Sequence, residues 1–310
     1  VELAQTYRLL LAKQLLTETL LPITAVVFAS GFSSVRRFNA LFRQRYRLTP
    51  SDLRKSAGRN VAGESIRLSL SYRPPFAWED MLCFLGPRAV AGVEAVVGRA
   101  YLRTIAVGPL HGWVKVEQGR NKHALEVEMP MGLVDALPRV LARLRNLFDL
   151  DASPEVIADH LGADPLLGEW VRSRPGLRVP GAYDGFELGV RAVLGQQVSV
   201  KAATTLAGRF AETFGEPIET PFPALTRLGP TPERIAEAKL DELTGVGLIA
   251  ARAECLRALA RAVCDGEVSL GPGPDPTSCV ERLQAIPGVG PWTAHYIAMR
   301  SLRWPDAFPH

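Results

Sequence analysis

The sequence predicts a mostly helical chain with one small α+β domain set between a helix-turn-helix segment and an all-α body. Three observations carry this. Apolar residues recur at helical spacing at the start of the chain and again from about 153 to the end. Between these regions, short runs alternate apolar and polar residues in the two-residue period of strands. Gly and Pro punctuate the C-terminal half at 175–176, 180–181, 215–223, 271–276 and 287–288, marking short helices joined by tight turns.

Residues 2–18 read as a helix with Leu3, Leu9, Leu10, Leu15 and Leu16 as its apolar positions, and Thr19 to Pro22 ends it. A short helix follows over 23–29, then Gly31, then a helix from Ser33 to Tyr46. In that last helix Val35, Phe38, Leu41, Phe42 and Tyr46 share one face, while Ser34, Arg36, Arg37 and Arg43 point elsewhere. A short helix, a glycine turn and a basic second helix form the layout in which the second helix enters a DNA major groove. Residues 57–63 read as a linker. Beyond it, strands are predicted over Ser65–Tyr72, Leu102–Val107, Trp113–Glu117 and Ala124–Met129, with helices over Trp78–Val90 and 133–148. The boundaries that result are 1–58, 64–150 and 151–310.

No window approaches the 18 or more apolar residues of a membrane span, and the apolar run 20–27 is short, contains Pro and follows a charged helix. Cys83, Cys255, Cys264 and Cys279 are scattered without a CxxC pair, which argues against a zinc site or a disulfide framework and fits a reducing cytosol. The net charge of +4 is uneven: residues 1–60 hold ten Lys/Arg against three acids, and the remainder is slightly acidic. A basic segment on a near-neutral body points to a polyanion partner.

The richest stretch is Leu283 to Ala294. A helix ends, Pro287-Gly288-Val289-Gly290 turns, and Pro291 opens a new helix. Glycines let the backbone approach a phosphate closely, and the N–H groups of the new helix face that anion. Gly288, Gly290 and Thr293 are the candidate backbone contacts. Such a hairpin grips DNA without reading bases. A second hairpin, Leu243-Thr244-Gly245-Val246-Gly247, lacks the aromatic residue that follows the first and is read as structural.

The run Trp292-Thr293-Ala294-His295-Tyr296 after the hairpin, the segment Ala192–Val200, the opening Leu70–Trp78 with its Pro74-Pro75-Phe76, and Arg174–Gly181 together resemble the family of DNA-3-methyladenine glycosylase II over roughly 66–310. Residues 1–56 resemble AraC-type regulators of the adaptive-response kind, carried by Leu21-Pro22-Ile23, Phe28–Ser34, Arg36–Asn39, Phe42-Arg43 and Thr49-Pro50-Ser51. Only the joining helix and the second helix-turn-helix motif of that family's DNA-binding unit fall in this chain.

The first resemblance implies a TATA-binding-protein-like α+β domain and an all-α helix–hairpin–helix domain. It also implies hydrolysis of the N-glycosidic bond of alkylated purines after base flipping. Trp292, Tyr296 and Phe84 match the family's aromatic base pocket. Gln197 matches its wedge residue, here polar where one form of the family is apolar. No cofactor is implied beyond a structural Na+ or K+ on the backbone carbonyls of Gln284, Ile286 and Val289. The family's catalytic aspartate would fall about two positions after His310, so no catalytic residue is assigned within the chain, and little or no base release is expected of these 310 residues. Asp306 is read as a turn or cap residue. The implied partners are double-stranded DNA with alkylated bases and promoter DNA, the latter through Ser34, Arg36, Arg37 and Arg43. The chain is expected to be a cytosolic or nucleoid-associated monomer without membrane contact. The rival reading is a transcriptional regulator with a non-catalytic damage-recognition module. A lyase-type relative is disfavoured because no Lys stands in the hairpin.

Overall fold

The structure, a computed structural model, describes residues 2–57, 64–119, 123–273 and 275–309. Most of the linker reading and the positions after Phe308-Pro309 therefore lie outside the described residues. Five strands, β1 (Ser65–Ser71), β2 (Glu94–Val97), β3 (Ala100–Val107), β4 (Leu110–Gln118) and β5 (Ala124–Pro130), form one sheet in the order β1-β5-β4-β3-β2. The chain divides into two compact units, residues 1–71 with 105–142, and residues 72–104 with 143–310.

In the first unit, α1 (Glu2–Glu18) buries Leu9, Ala12, Leu15 and Leu16. Leu10, expected on that face, is exposed instead, because it lies a quarter-turn away from Leu9. Then come α2 (Ile23–Ala29), a turn in which Gly31 takes φ +81°, and α3 (Val35–Tyr46). Phe32, Phe38, Phe42 and Tyr46 stack in sequence with ring centroids 4.7–5.3 Å apart, so the predicted apolar face of α3 is the core of this helix-turn-helix. A further helix, α4 (Pro50–Ala57), is one the periodicity did not disclose. Strand β1 pairs antiparallel with β5 from Ser65↔Pro130 to Ser71↔Ala124, and β5 with β4 from Lys115↔Glu128 to Gln118↔Leu125. Alternation buries Ile66, Leu68 and Leu70 with Val114, Val116, Leu125, Val127 and Met129 on one face.

In the second unit, α5 (Trp78–Leu85) ends five residues before its predicted limit. Pro87 follows in a 3₁₀ turn over Gly86–Arg88, since proline can neither donate nor fit within a helix interior. Strand β2, too short to show a period, pairs with β3 from Glu94↔Arg103 to Val97↔Ala100. The segment predicted as helix over 133–148 begins in the first unit, and as a 3₁₀ turn, Met131–Ala136, before it continues as α6 (Leu137–Leu147). The rest is helical: α7 (Pro154–Gly162), α8 (Leu167–Ser173), α9 (Gly185–Leu194), α10 (Val200–Phe214), α11 (Pro232–Glu237), α12 (Leu240–Gly245), α13 (Ala250–Cys264), α14 (Pro276–Gln284) and α15 (Pro291–Ile297). A π turn, Ala298–Leu302, extends α15. Helix α9 sits at the centre: Phe186, Val190, Val193 and Leu194 join Leu256, Leu259, Leu283 and Ile297 in one core. Among the described residues no helix is long and apolar enough to cross a membrane.

Candidate functional site

The hairpin begins where α14, N-capped by Asp275, runs out at Gln284. Gly288 takes φ +89°, the left-handed conformation that side chains resist, and a Cβ there would lie 3.0 Å from Cys255 Cβ. The glycine is therefore required by the fold of the hairpin itself, apart from anything it meets outside. Gly290 is different. It is extended, caps α15, and a Cβ built on it meets nothing within 4 Å. The first-turn N–H groups of α15 have no partner within the helix and are free to meet an anion beside that open position.

Thr293 turns its side chain inward: it is buried, and its hydroxyl accepts a hydrogen bond from Gln196 Nε2 at 3.1 Å, which leaves its N–H as the group on offer to an anion. The same Gln196 amide donates to the Gly288 carbonyl at 2.8 Å, and Arg252 Nη2 donates to the Gln196 carbonyl at 2.5 Å. Gln196 thus fastens the loop after α9 to the hairpin. Its neighbour Gln197 is held at φ +55° with its side chain exposed.

Trp292 and Tyr296 lie one turn apart, and their rings stack parallel, 5.2 Å between centroids and 8° between planes. Trp292 is 46% exposed, so its outer face is open while its inner face is taken by Tyr296. Arg300, the next residue on this i, i+4 face, is 5% exposed. Its Nη1 donates to the Tyr296 hydroxyl at 2.6 Å, its Nε and Nη2 donate to the carbonyls of Pro180 and Gly181, and its guanidinium lies 5.1 Å from the centre of the Phe84 ring. Phe84 is also covered by Arg88, 4.0 Å from its centroid. The three aromatic residues singled out in the sequence are therefore linked through an arginine that was not. The helical spacing Trp292–Tyr296–Arg300 was the signal that pointed to it.

Behind Phe84 and Arg300 lies a small cavity of about 90 Å³, open on one side. Its walls carry a charged network absent from the sequence reading. Arg103, 1% exposed, donates both to Glu187, at 2.7 and 2.9 Å, and to Glu94 at 3.5 Å. Burial pushes the Glu187 carboxyl up to about 7 even beside Arg103. Burial likewise pushes the Tyr183 phenol up to about 12. These residues are 84 positions apart or flank no motif, so no spacing rule finds them.

Among the helix-turn-helix residues, Arg36, Arg37 and Arg43 are exposed, and the Ser34 hydroxyl is engaged as N-cap, accepting from the Arg37 N–H at 3.3 Å. Among the described residues no group of three or more His, Cys, Asp or Glu side chains is placed to hold a metal ion. Of the three carbonyls assigned to a monovalent cation, that of Ile286 already accepts the Val289 N–H at 3.0 Å. Asp306 is exposed.

Three family models match in tandem: a helix-turn-helix domain over residues 1–56, the AlkA N-terminal domain over 67–184, and the HhH-GPD superfamily of base excision DNA repair proteins over 190–299. The chain is 40% identical over 314 residues to the "Probable bifunctional transcriptional activator/DNA repair enzyme AlkA" of Mycobacterium tuberculosis, a match that covers 99% of this chain and 62% of that protein. It is 39% identical to DNA-3-methyladenine glycosylase 2 of Escherichia coli over 77% of this chain and 82% of that one. Among solved structures, a 3-methyladenine DNA-glycosylase from Archaeoglobus fulgidus shares the fold at a TM-score of 0.66 and 22% identity, covering 78% of this chain and 81% of that one. An 8-oxoguanine glycosylase/lyase from Clostridium acetobutylicum, solved with double-stranded DNA, shares it at 0.59 and 19%, covering 80% of each. With the hairpin and the ring stack in place and 82% of the Escherichia coli protein's length covered at 39% identity, the chain belongs to the DNA-3-methyladenine glycosylase 2 family of helix–hairpin–helix base-excision repair proteins, with a helix-turn-helix domain ahead of the glycosylase part.

Proposed function

We propose that the whole protein hydrolyses the N-glycosidic bond of alkylated purines, 3-methyladenine among them, and couples this repair to promoter binding by its helix-turn-helix domain. It would do both in the cytosol, as a monomer. The observation that carries the reading is the open Gly290 at the start of α15, with Trp292 exposed on the next turn-face position. A phosphate seated on the first-turn N–H groups would bring the duplex to the hairpin, and a nucleotide turned out of the stack would then reach the free face of Trp292. It stacks on that outer face and not between Trp292 and Tyr296, because those rings already touch. Alkylation at a ring nitrogen makes the base cationic, and electron-rich rings favour a cation by about 0.5–2 kcal/mol per contact. Gln197 fills the gap left in the duplex.

Backbone carbonyls are hard oxygen donors suited to Na+ or K+. The Ile286 oxygen keeps one lone pair beyond its bond to Val289, so Gln284, Ile286 and Val289 can hold such an ion. Its role would be to stiffen the hairpin and add positive charge beneath the phosphate.

The recognition half of this reading is tested on the present chain. Duplexes with and without an abasic-site analogue are titrated against wild type and Trp292→Ala. The variant should lose most of its preference for damaged DNA while keeping its affinity for intact duplex. An equal loss for both would reduce Trp292 to a structural residue. The hydrolytic half is tested by release of 3-methyladenine from methylated DNA by the whole protein.

A further inference from the structure

Gln197, after α9, stands in a conformation that its residue type resists. It takes φ +55°, the left-handed region that a side chain enters at a cost, and its side chain lies in solvent. The conformation is therefore imposed by what grips the backbone. That grip falls on the residue before it. The peptide joining Gln196 to Gln197 carries the Gln196 carbonyl, and Arg252 Nη2 donates to that oxygen at 2.5 Å. The Gln196 side chain is tied as well, its Nε2 donating to the Gly288 carbonyl at 2.8 Å and to Thr293 Oγ1 at 3.1 Å. On the far side Ser199 caps α10, its hydroxyl accepting from the Ala202 N–H at 3.2 Å. Because a peptide is planar, holding its carbonyl fixes the plane from which φ of Gln197 is turned. The short path from there to Ser199 leaves Gln197 the left-handed turn.

Arg252 owes its place to the second hairpin. Leu243, Val246 and Leu248 are buried, Gly247 turns the chain at φ +99°, and α13 starts at Ala250. Arg252 therefore falls in the first turn of α13, half-buried. A cation there sits at the unfavourable end of the helix dipole, so the helix itself gains nothing from it. What it gains is the bond to the Gln196 carbonyl, a hydrogen bond from a charged donor and among the stronger single contacts.

We propose that Arg252 is the positioning residue for Gln197. By holding the Gln196 carbonyl it keeps Gln197 turned outward and ready to enter a duplex, while Gln196 ties the same loop to the hairpin that seats the phosphate. The second hairpin thereby serves the DNA site without touching DNA, and the phosphate grip and the gap-filling side chain move as one piece. The proposal rests on the reading of Gln197, given above, as the residue that fills the gap in the duplex.

Two double-variant cycles on the whole 310-residue chain test it. The first needs no DNA. Gln197→Gly relieves a side chain held at positive φ and should raise the unfolding midpoint by about 2–4 °C. In the Arg252→Met background the peptide is released, and the same change should raise the midpoint by roughly half as much or less. Equal gains in the two backgrounds overturn the proposal. The second cycle reads the affinity for a duplex with an abasic-site analogue relative to intact duplex. Arg252→Met should lower that ratio roughly threefold or more, with intact-duplex affinity held within about twofold. Arg252→Lys, which keeps a charged donor on a long stem, should recover part of the ratio. In the Gln197→Ala background Arg252→Met should lower the ratio no further. A further loss there, or an equal loss on both duplexes, overturns the proposal and makes Arg252 a DNA contact in its own right. If Gln197→Ala keeps the wild-type ratio while the first cycle shows coupling, the gap-filling reading alone falls and Arg252 stands as the residue that holds the loop.

Discussion

Gly288 and Gly290 stand two positions apart and answer to different forces. At Gly288 a side chain meets positive φ and the buried Cys255, whose thiol is pushed up to about 11 by burial and stays an inert packing group. Gly288→Ala should cost roughly 1–3 kcal/mol of stability, read as a lowered midpoint of denaturation. At Gly290 the fold leaves room, and Gly290→Val should unfold at the wild-type midpoint. The new side chain would hold a phosphate away from the α15 N–H groups, weakening duplex binding of any sequence by about 1.5–3 kcal/mol, the worth of a hydrogen bond to a charged group. Unchanged duplex affinity in folded Gly290→Val would remove the hairpin from the DNA interface. Gln197 and Gln196 make a similar pair. Gln197→Ala should leave the fold intact and weaken binding to an abasic-site analogue more than to intact duplex. Gln196→Ala should weaken both, because it frees the hairpin from the loop after α9.

At the scale of the element, α9 carries a half-buried acid on a helix otherwise given to the core. Burial raises Glu187 from 4.5 to about 7. Between those values the folded chain holds a proton that the unfolded chain has released. The contribution of this group to stability is therefore full below pH 4.5 and lost as pH rises through 7. Glu187→Gln mimics the protonated form at every pH. Its melting temperature should match wild type near pH 5 and exceed it near pH 8. The opposite trend, with wild type gaining over the variant at pH 8, would show that the ion pair with Arg103 outweighs the burial of the carboxylate. Helix α3 shows the complementary arrangement. Its aromatic face, Phe38, Phe42 and Tyr46, is spent on mutual packing and on Phe32, which leaves Arg36, Arg37 and Arg43 to solvent or to phosphate.

For the whole molecule, the decisive feature is the unequal charge: ten basic residues against three acids in the first 60, on a body that is slightly acidic. Changing Arg36, Arg37 and Arg43 together to Ala should lower DNA affinity. It should also flatten the dependence of log K on log salt by up to about 0.9 for each phosphate contact removed. The midpoint of unfolding should not move, since all three side chains are exposed. A salt slope that stays at the wild-type value in the triple variant would show that these arginines do not neutralise phosphate.

Local chemistry wrote the helices, the glycine turn at 31, the alternating strands and the hairpin with its aromatic turn into the sequence, because each depends on residues within a few positions of one another. Tyr296 falls four after Trp292 on any helix, and their stacking follows. Where the sequence misled, a single local rule had been taken too far: the helix from Trp78 was carried past Pro87. The tertiary structure alone decided what meets across long separations. Arg103 reaches Glu187 over 84 positions, Gln196 reaches Gly288 over 92, and Arg300 reaches Gly181 over 119. No periodicity records such pairs, since burial of a charge depends on which distant surfaces close over it. The cavity behind Phe84 exists only because those surfaces meet there.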